Sequence, residues 1–266
     1  MAYQKVMSLD LLSAQNKVWE QLSQIGTSER VGSAYLFSGP TGCGKEGLAI
    51  RFSQLLNCDL PGKTPCDTCP SCHRFHQLQH EKLKLIFPLP IVKKNKDEES
   101  GELSPVGKGD MELVTDAIAK KSEDFFYKIQ IPRSNRILIQ SVRELRRTLY
   151  LKSDPKGRKI VLIFDAHLLS AGQGEAANAL LKILEEPPDN TTLILVTDHV
   201  ELLLPTILSR CQRVGIPKLE DGFVRDWLQM KMVKESEIPF LAGLSQGNIH
   251  QARSLISQSV GDLMKL

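Results

Sequence analysis

The chain has 266 residues, of which 41% are hydrophobic and 24% charged, a composition typical of a globular protein and unlike that of fibrous or disordered chains. Its 34 basic and 31 acidic side chains leave a net charge of only +3, which argues against a DNA-binding domain acting alone. Residues 1–21 do not resemble an export signal, and no segment has the roughly 18 apolar residues of a membrane helix. We therefore expect a cytoplasmic protein with no membrane partner.

The first part of the chain contains a pattern typical of a phosphate-binding loop. Residues 9–25 predict one or two surface helices, and residues 35–37 a short apolar strand. A glycine-rich turn and a helix to about residue 56 follow, so that backbone N–H groups, the helix N-terminus and a lysine can meet an anion. The loop residues are Gly39, Gly42, Gly44, Lys45 and Glu46.

Glu46 departs from this pattern. A serine or threonine is expected after Lys45, because its hydroxyl binds Mg²⁺ beside the β- and γ-phosphates. A carboxylate cannot replace that hydroxyl, and it adds negative charge where phosphate should lie. The sequence therefore predicts weak or no ATP binding.

Four cysteines directly after the loop helix predict a metal site. The chain has six cysteines and no export signal, which argues against a disulfide framework. The four are Cys58, Cys66, Cys69 and Cys72. Four thiolates at this spacing can surround Zn²⁺ tetrahedrally and leave no open position for water, so the site is expected to be structural. Two disulfides or unliganded thiols are the alternatives, and His73 and His76 are rival ligands that we expect on the following helix.

Residues 88–131 are predicted to form a flexible surface insertion. A basic run at 93–96 is followed at once by acidic residues 97–99, so a solvated loop is favoured over a contact with DNA phosphate. Within the insertion, residues 111–127 predict an amphipathic helix.

The second half of the chain predicts further elements of a parallel sheet. A helix is expected over 139–151, and the apolar run 159–164 is typical of a strand buried on both faces. This strand ends in Asp165, where a phosphate-loop protein places the carboxylate on the Mg²⁺ side. A helix over 175–186, a buried strand at 193–197, the triplet Ser209-Arg210-Cys211 and a short strand near 214–216 follow. Pro217 marks a boundary, after which residues 220–256 predict three short helical segments.

Taken together, these motifs resemble the clamp-loader branch of the AAA+ ATPases, which includes the delta-prime and gamma/tau subunits of bacterial DNA polymerase III. The resemblance rests on residues 34–39, the four-cysteine group, residues 178–188 and residues 208–211. It implies an α/β nucleotide-binding-like domain over 1–216 with a zinc knuckle at 58–72, then an all-helical lid at 217–266. The resemblance also implies a third, collar domain, which we expect to be absent from this chain because it stops at Leu266.

Within this resemblance, several departures predict a subunit that does not hydrolyse ATP. Ala166 replaces a catalytic glutamate, Asp198 stands at the position of a sensor threonine, and His250 replaces the lid's sensor arginine. With Glu46, these make four losses. Arg210 is intact, and the resemblance implies that it reaches the ATP of a neighbouring subunit in trans; the alternative is a local pair with a carboxylate at a helix end.

The resemblance therefore implies a non-hydrolysing, delta-prime-like subunit. Its expected partners are gamma/tau and delta subunits and, through the complex, the sliding clamp and primed DNA. A divergent gamma-like ATPase that still uses Lys45 and Asp165 is the alternative. A zinc-containing DNA-binding module acting alone is a third hypothesis, against which the near-neutral charge argues.

Overall fold

A computed structural model describes residues 10–28, 30–90, 108–151 and 156–257. Its centre is a parallel sheet with the strand order β2-β3-β4-β1-β5. The strands are β1 (Ala34–Ser38), β2 (Leu83–Ile86), β3 (Lys159–Ile163), β4 (Thr191–Thr197) and β5 (Gln212–Gly215). β4 is buried along its whole length, as expected for a strand covered on both faces. The prediction of an α/β fold around a parallel sheet is confirmed.

Helices cover the sheet. In chain order they are α1 (Leu11–Ala14), α2 (Asn16–Thr27), α3 (Lys45–Leu56), α4 (Pro70–His76), α5 (Lys108–Glu123), α6 (Ile139–Leu149), α7 (Glu175–Glu185), α8 (Pro205–Leu208), α9 (Asp221–Met230), α10 (Ile238–Ser245) and α11 (Ile249–Ile256). Short 3₁₀ turns lie at Ala166–Leu169 and Val200–Leu202. In the part of the chain described here, no helix combines the length and apolarity needed to cross a membrane.

The two faces of the sheet carry separate apolar cores. Side chains alternate along a strand, so Tyr35 and Phe37 of β1 pack into one core, whereas Leu36 packs into the other. The first core contains α3 and also the apolar residues of α9–α11, which include Trp227. The second core lies under α6 and α7. The phosphate loop and the three C-terminal helices therefore share one side of the sheet, and the division of the chain at residue 217 stays a prediction.

The structure differs from the sequence expectations in three places. β2 was not predicted, because a four-residue strand at the sheet edge carries little periodic signal. The N-terminal helices were expected at the surface, yet Trp19 and Leu22 are buried against the first core. The flexible insertion predicted over 88–131 is a packed structure over residues 110–131, because Phe126 and Ile129 belong to the same core. The charged run at 93–99 lies outside the described residues.

Candidate functional site

The predicted phosphate loop joins β1 to α3 in a strand-turn-helix arrangement. Gly42 and Gly44 have φ values of +72° and +89°, a left-handed conformation that favours glycine. Helix α11 begins directly against this turn, since a Cβ added to Gly42 would stand 2.0 Å from the side-chain oxygen of its N-cap residue Asn248. Gly39 is equally confined, with its Cβ position 2.1 Å from the Ile216 carbonyl oxygen. The closeness of Asn248 to Gly42 and of Ile216 to Gly39 leaves no room for a side chain at either glycine. The chain itself therefore encloses the loop on two sides.

Three ion pairs occupy the position where phosphate and Mg²⁺ are expected. They join Lys45 Nζ to Asp198 Oδ1 (2.6 Å), Lys128 Nζ to Asp165 Oδ1 (2.7 Å) and Lys121 Nζ to Glu46 Oε2. Three ammonium groups are thus matched by three carboxylates. Such a balanced cluster offers no net charge to attract either an anionic phosphate or a divalent cation.

Lys121 accounts for the unusual Glu46. Its side chain is only 1% exposed, and its ammonium donates to Glu46, to the Phe125 carbonyl oxygen (2.8 Å) and to the Tyr127 carbonyl oxygen (2.7 Å). Burial lowers the pKa of Lys121, and the Glu46 carboxylate opposes that shift. All three N–H groups have acceptors, which is the condition under which a buried ammonium is tolerated. Glu46 is therefore the partner of a lysine and not merely a lost hydroxyl.

Lys128 lies where the resemblance places Mg²⁺. It contacts Asp165 and lies 3.9 Å from Asp198, and although burial works against its charge, these carboxylates raise its pKa. Asp198 also accepts a hydrogen bond from Thr41 Oγ1 (2.7 Å). Burial alone would raise the pKa of the Asp198 carboxyl, but Lys45 and Thr41 outweigh it and the pKa is lowered. The Asp198 carboxylate is thus held ionised, and both carboxylates pair with lysines of the same chain.

The segment of residues 121–128, called the bridge segment below, closes this site. Its side chains at Lys121, Phe125, Phe126 and Lys128 line the space over the phosphate loop, together with residues of the loop and of α11. The space that remains is a cavity of about 20 Å³. That volume holds about one water molecule, so a phosphate group does not fit in this conformation.

The other positions singled out by sequence lie close to this closed site. Ala166 is fully buried in the second core, so a glutamate there would bury its carboxylate among apolar residues. Thr197 ends β4, and its hydroxyl contacts the backbone N–H of His199 (3.0 Å) and Nδ1 of His167 (3.1 Å). A threonine therefore does stand at the strand end, one position before Asp198. The expectation that Asp198 stands at the position of a sensor threonine stays a prediction.

His250 on α11 faces the loop from the lid side. Its Nε2 donates to the Phe126 carbonyl oxygen at 2.9 Å, and burial lowers its pKa. His250 also lines the small cavity together with loop residues, and its assignment to the position of a sensor arginine stays a prediction. It contacts the bridge segment instead of a nucleotide.

Arg210 lies outside the closed cavity, after the short helix α8. One guanidinium nitrogen donates to Glu185 Oε1 at 2.8 Å and another to the Thr206 carbonyl oxygen at 2.9 Å. Its side chain is 35% exposed. Within a single chain, Arg210 thus forms the local pair that was the alternative interpretation, and its role in trans stays a prediction.

The four cysteines predicted to bind metal form one cluster. Their sulfur atoms all lie within 4.8 Å of one another, and all six cysteines of the chain are free thiols. The Cys66 and Cys72 sulfurs are 3.9 Å apart, close to the separation of about 3.8 Å that Zn–S bonds near 2.3 Å give in a tetrahedron. The backbone N–H groups of Cys69 and Cys72 donate to the sulfurs of Cys66 and Cys69, each at 3.3 Å.

This cluster fits a structural zinc ion. Hydrogen bonds from Thr68 lower the pKa of Cys66 to about 6, whereas burial raises the pKa of Cys58 and of Cys72, so the fit to zinc rests on the close packing of the four sulfurs and not on their ionisation. The rival histidines lie elsewhere: His73 is exposed on α4, and the His76 ring packs 5.3 Å from the Phe125 ring. Zinc would supply a cross-link here, and the knuckle is further joined to α3 by the ion pair between Asp67 and Arg51.

Sequence reasoning missed Lys121 and Lys128, although both belong to the closed site. They lie in the segment that was expected to be a flexible insertion. One signal was available: Glu46 introduced a carboxylate that needs a cation if it is buried, and lysines of the predicted amphipathic helix were candidates. Nothing in the sequence pairs two particular residues 75 positions apart.

Comparison with known proteins gives consistent results. The family model described as "DNA polymerase III, delta subunit" matches residues 14–220. The tau subunit of Bacillus subtilis DNA polymerase III is 26% identical over 95% of this chain and 38% of its own length. The delta-prime subunits of Bacillus subtilis and Haemophilus influenzae are 25% and 28% identical over 93% and 91% of the chain, which spans 60% and 64% of their lengths.

Among solved structures, a gamma subunit-related protein of Thermotoga maritima matches with a TM-score of 0.50 and 20% identity. The match covers 93% of this chain and 65% of that one. At this level of identity the likeness supports the fold alone.

Proposed function

Since the chain belongs to the DNA polymerase III delta-prime, tau and gamma family of clamp-loader subunits, we propose that it acts there as a delta-prime-like subunit without ATPase activity of its own. The observation that carries the proposal is the phosphate loop closed by three ion pairs and the bridge segment. Hydrolysis requires a nucleotide, a metal ion and an oriented water in that space. The cavity of about 20 Å³ between the bridge segment and the loop is too small for the phosphate groups of a nucleotide.

The chemistry of the individual residues agrees with this proposal. Glu46 has no hydroxyl for Mg²⁺, and Ala166 has no carboxylate to orient water. Lys45, which would contact the β- and γ-phosphates, donates to Asp198 and to the Pro40 carbonyl oxygen (2.6 Å) and is 4% exposed. Each group that remains from the phosphate-loop pattern is engaged by the chain itself.

Arg210 is the residue that we propose acts on a neighbouring subunit. Its guanidinium is partly exposed, always charged and shaped to contact two phosphate oxygens at once. The pair with Glu185 lies at the surface, where such pairs contribute little, so phosphate can displace the carboxylate at small cost. An arginine supplied in trans can accelerate phosphoryl transfer by about 10³–10⁵-fold.

The proposed setting is a complex with gamma/tau and delta subunits that loads the sliding clamp onto primed DNA in the cytoplasm. Both delta-prime and tau/gamma proteins are among the relatives. A second candidate function is therefore a divergent gamma-like ATPase, which Lys45 and Asp165 favour. That function would require the bridge segment to leave the loop before nucleotide binds.

The test is reconstitution of a complex with gamma and delta subunits, in which clamp- and DNA-stimulated ATP hydrolysis is measured. Arg210→Ala should reduce the rate strongly, whereas Lys45→Ala should leave it nearly unchanged when both variants are compared at a temperature at which circular dichroism shows them folded, because loss of Lys45 leaves the buried Asp198 carboxylate unpaired. Arg213→Ala is the matched control, because Arg213 is an exposed arginine three positions away. If Lys45→Ala abolishes hydrolysis while Arg210→Ala behaves like the control, the chain is an active ATPase and the proposal is wrong.

A further inference from the structure

The bridge segment contacts the lid helices as well as the phosphate loop. The Asp124 carboxylate forms an ion pair with Arg253 of α11, and the Phe126 carbonyl oxygen accepts from His250. The Phe126 ring also packs against the Phe223 ring of α9 at 5.8 Å between centroids. Three contacts of different chemistry therefore join a few consecutive residues to two lid helices.

The same residues are fixed to the sheet on their other side. Lys121 is joined to Glu46 at the start of α3, and Lys128 to Asp165 after β3. The intervening carbonyl groups of residues 125–127 are all used, two by Lys121 and one by His250. The backbone of this segment is therefore hydrogen-bonded to Lys121, which pairs with α3, and to His250 of α11. The segment thus connects the phosphate loop to the lid helices.

From these contacts we infer that the bridge segment is an internal substitute for a bound nucleotide: it joins the phosphate loop to the lid helices and holds them in one arrangement whether or not ATP is present. Two of its contacts replace interactions that a bound nucleotide and its metal ion would make at this position. The Lys128 ammonium lies beside Asp165 and Asp198, where a divalent cation would lie. The Phe126 carbonyl oxygen accepts the hydrogen bond that His250 Nε2 would otherwise be free to donate to a ligand. The inference does not depend on the proposed role in clamp loading, because it concerns contacts within one chain.

The zinc knuckle supports the bridge segment from a third direction. His76 of α4 packs against the Phe125 ring, and a Cβ on Gly47 of α3 would stand 2.9 Å from the Phe125 side chain. Phe125 is thus confined between α4 and α3. The knuckle, the loop helix and the lid all meet at this segment, so its release would require several contacts to break together.

Hydrogen exchange of the full chain, followed by mass spectrometry, tests this inference. Asp124→Asn weakens the ion pair with Arg253 but keeps a side-chain oxygen for the Phe126 N–H, to which Asp124 Oδ1 is bonded at 2.8 Å. We expect amides of α11 to exchange about 5–30-fold faster in this variant, which corresponds to about 1–2 kcal/mol. Amides of β3 and β4 should be unchanged.

Matched variants separate the bridge from a general loosening of the lid. Asp221→Asn removes the same charge from a lid ion pair, with Arg225 within α9, and should leave α11 exchange unaltered. Arg253→Gln removes the same ion pair and also the contact with the Trp227 ring, so it should speed α11 exchange at least as much as Asp124→Asn, and the double variant should add little to Arg253→Gln alone.

Hydrogen exchange measured with and without Mg²⁺ and ATP gives the result that could overturn the inference. In the wild-type chain, added Mg²⁺ and ATP should not change lid exchange. If Mg²⁺ and ATP slow the exchange of α9–α11, or if Asp124→Asn behaves like Asp221→Asn, the lid is not held by the bridge segment and the inference is overturned. Failure of the Arg210 experiment would leave these outcomes untouched, so the two proposals are tested separately.

Discussion

Replacement of Lys121 by methionine should destabilise the chain more than any other single lysine substitution in the described part of α5. The substitution keeps the length of the side chain but removes an ammonium that is 1% exposed. It leaves the Glu46 carboxylate, itself only 15% exposed, and two carbonyl oxygens without their donor. Removal of one partner from a buried ion pair costs about 3–5 kcal/mol.

The assay is thermal unfolding followed by circular dichroism. For a chain of this size each kcal/mol lowers the melting temperature by about 2–4 °C, so Lys121→Met should lower it by about 6–20 °C. Lys120→Met is the matched control, because that neighbouring lysine is 52% exposed and forms a surface ion pair with Asp116 one turn away. The double variant Lys121→Met with Glu46→Gln should recover part of the loss, since it removes both charges. A melting temperature for Lys121→Met equal to that of Lys120→Met would refute this account of the closed loop.

Two further predictions concern the metal and pH. Purified protein should contain one zinc ion per chain; Cys66→Ser should lose it and unfold at lower temperature, whereas Cys211→Ser should retain it, because Cys211 lies outside the cluster. Zinc bound equally by the two variants would contradict the site. The melting temperature should fall as the pH drops below about 6.5, because burial lowers the pKa of His250 and a group with a lowered folded-state pKa loses its contribution on acidification. His250→Gln keeps a donor for Phe126 and should reduce this fall; an unchanged pH profile would count against the burial argument.

The sheet and most helices were predictable because their signals are local. The run at 160–164 is apolar without interruption, and β3 is found there as an interior strand of the sheet. The segments after Pro217 repeat apolar residues at helical spacing, and α9–α11 are found within them. β2 escaped prediction because four residues at an edge show neither a long apolar run nor a clear alternation.

The site was predictable only in part. The loop glycines, Lys45 and Asp165 follow patterns of fixed spacing, and the cysteine cluster does too. The closure of the loop depends on tertiary packing, which no local pattern encodes. The charged run at 93–99 led to the prediction that the whole insertion is solvated. The apolar residues after 110 nevertheless pack into the first core.

The pairing of Glu46 with Lys121 also bears on how such a chain can change over generations. Replacement of Glu46 by threonine would supply a hydroxyl for a metal ion but leave the buried Lys121 ammonium without its carboxylate, and loss of Lys121 alone would leave the Glu46 carboxylate unpaired. Either single step passes through a less stable protein. The two positions lie 75 residues apart, so one mutational event does not alter both. Because either single substitution lowers stability, sequences related to this chain by single mutations are expected to keep both Glu46 and Lys121, and with them the closed loop.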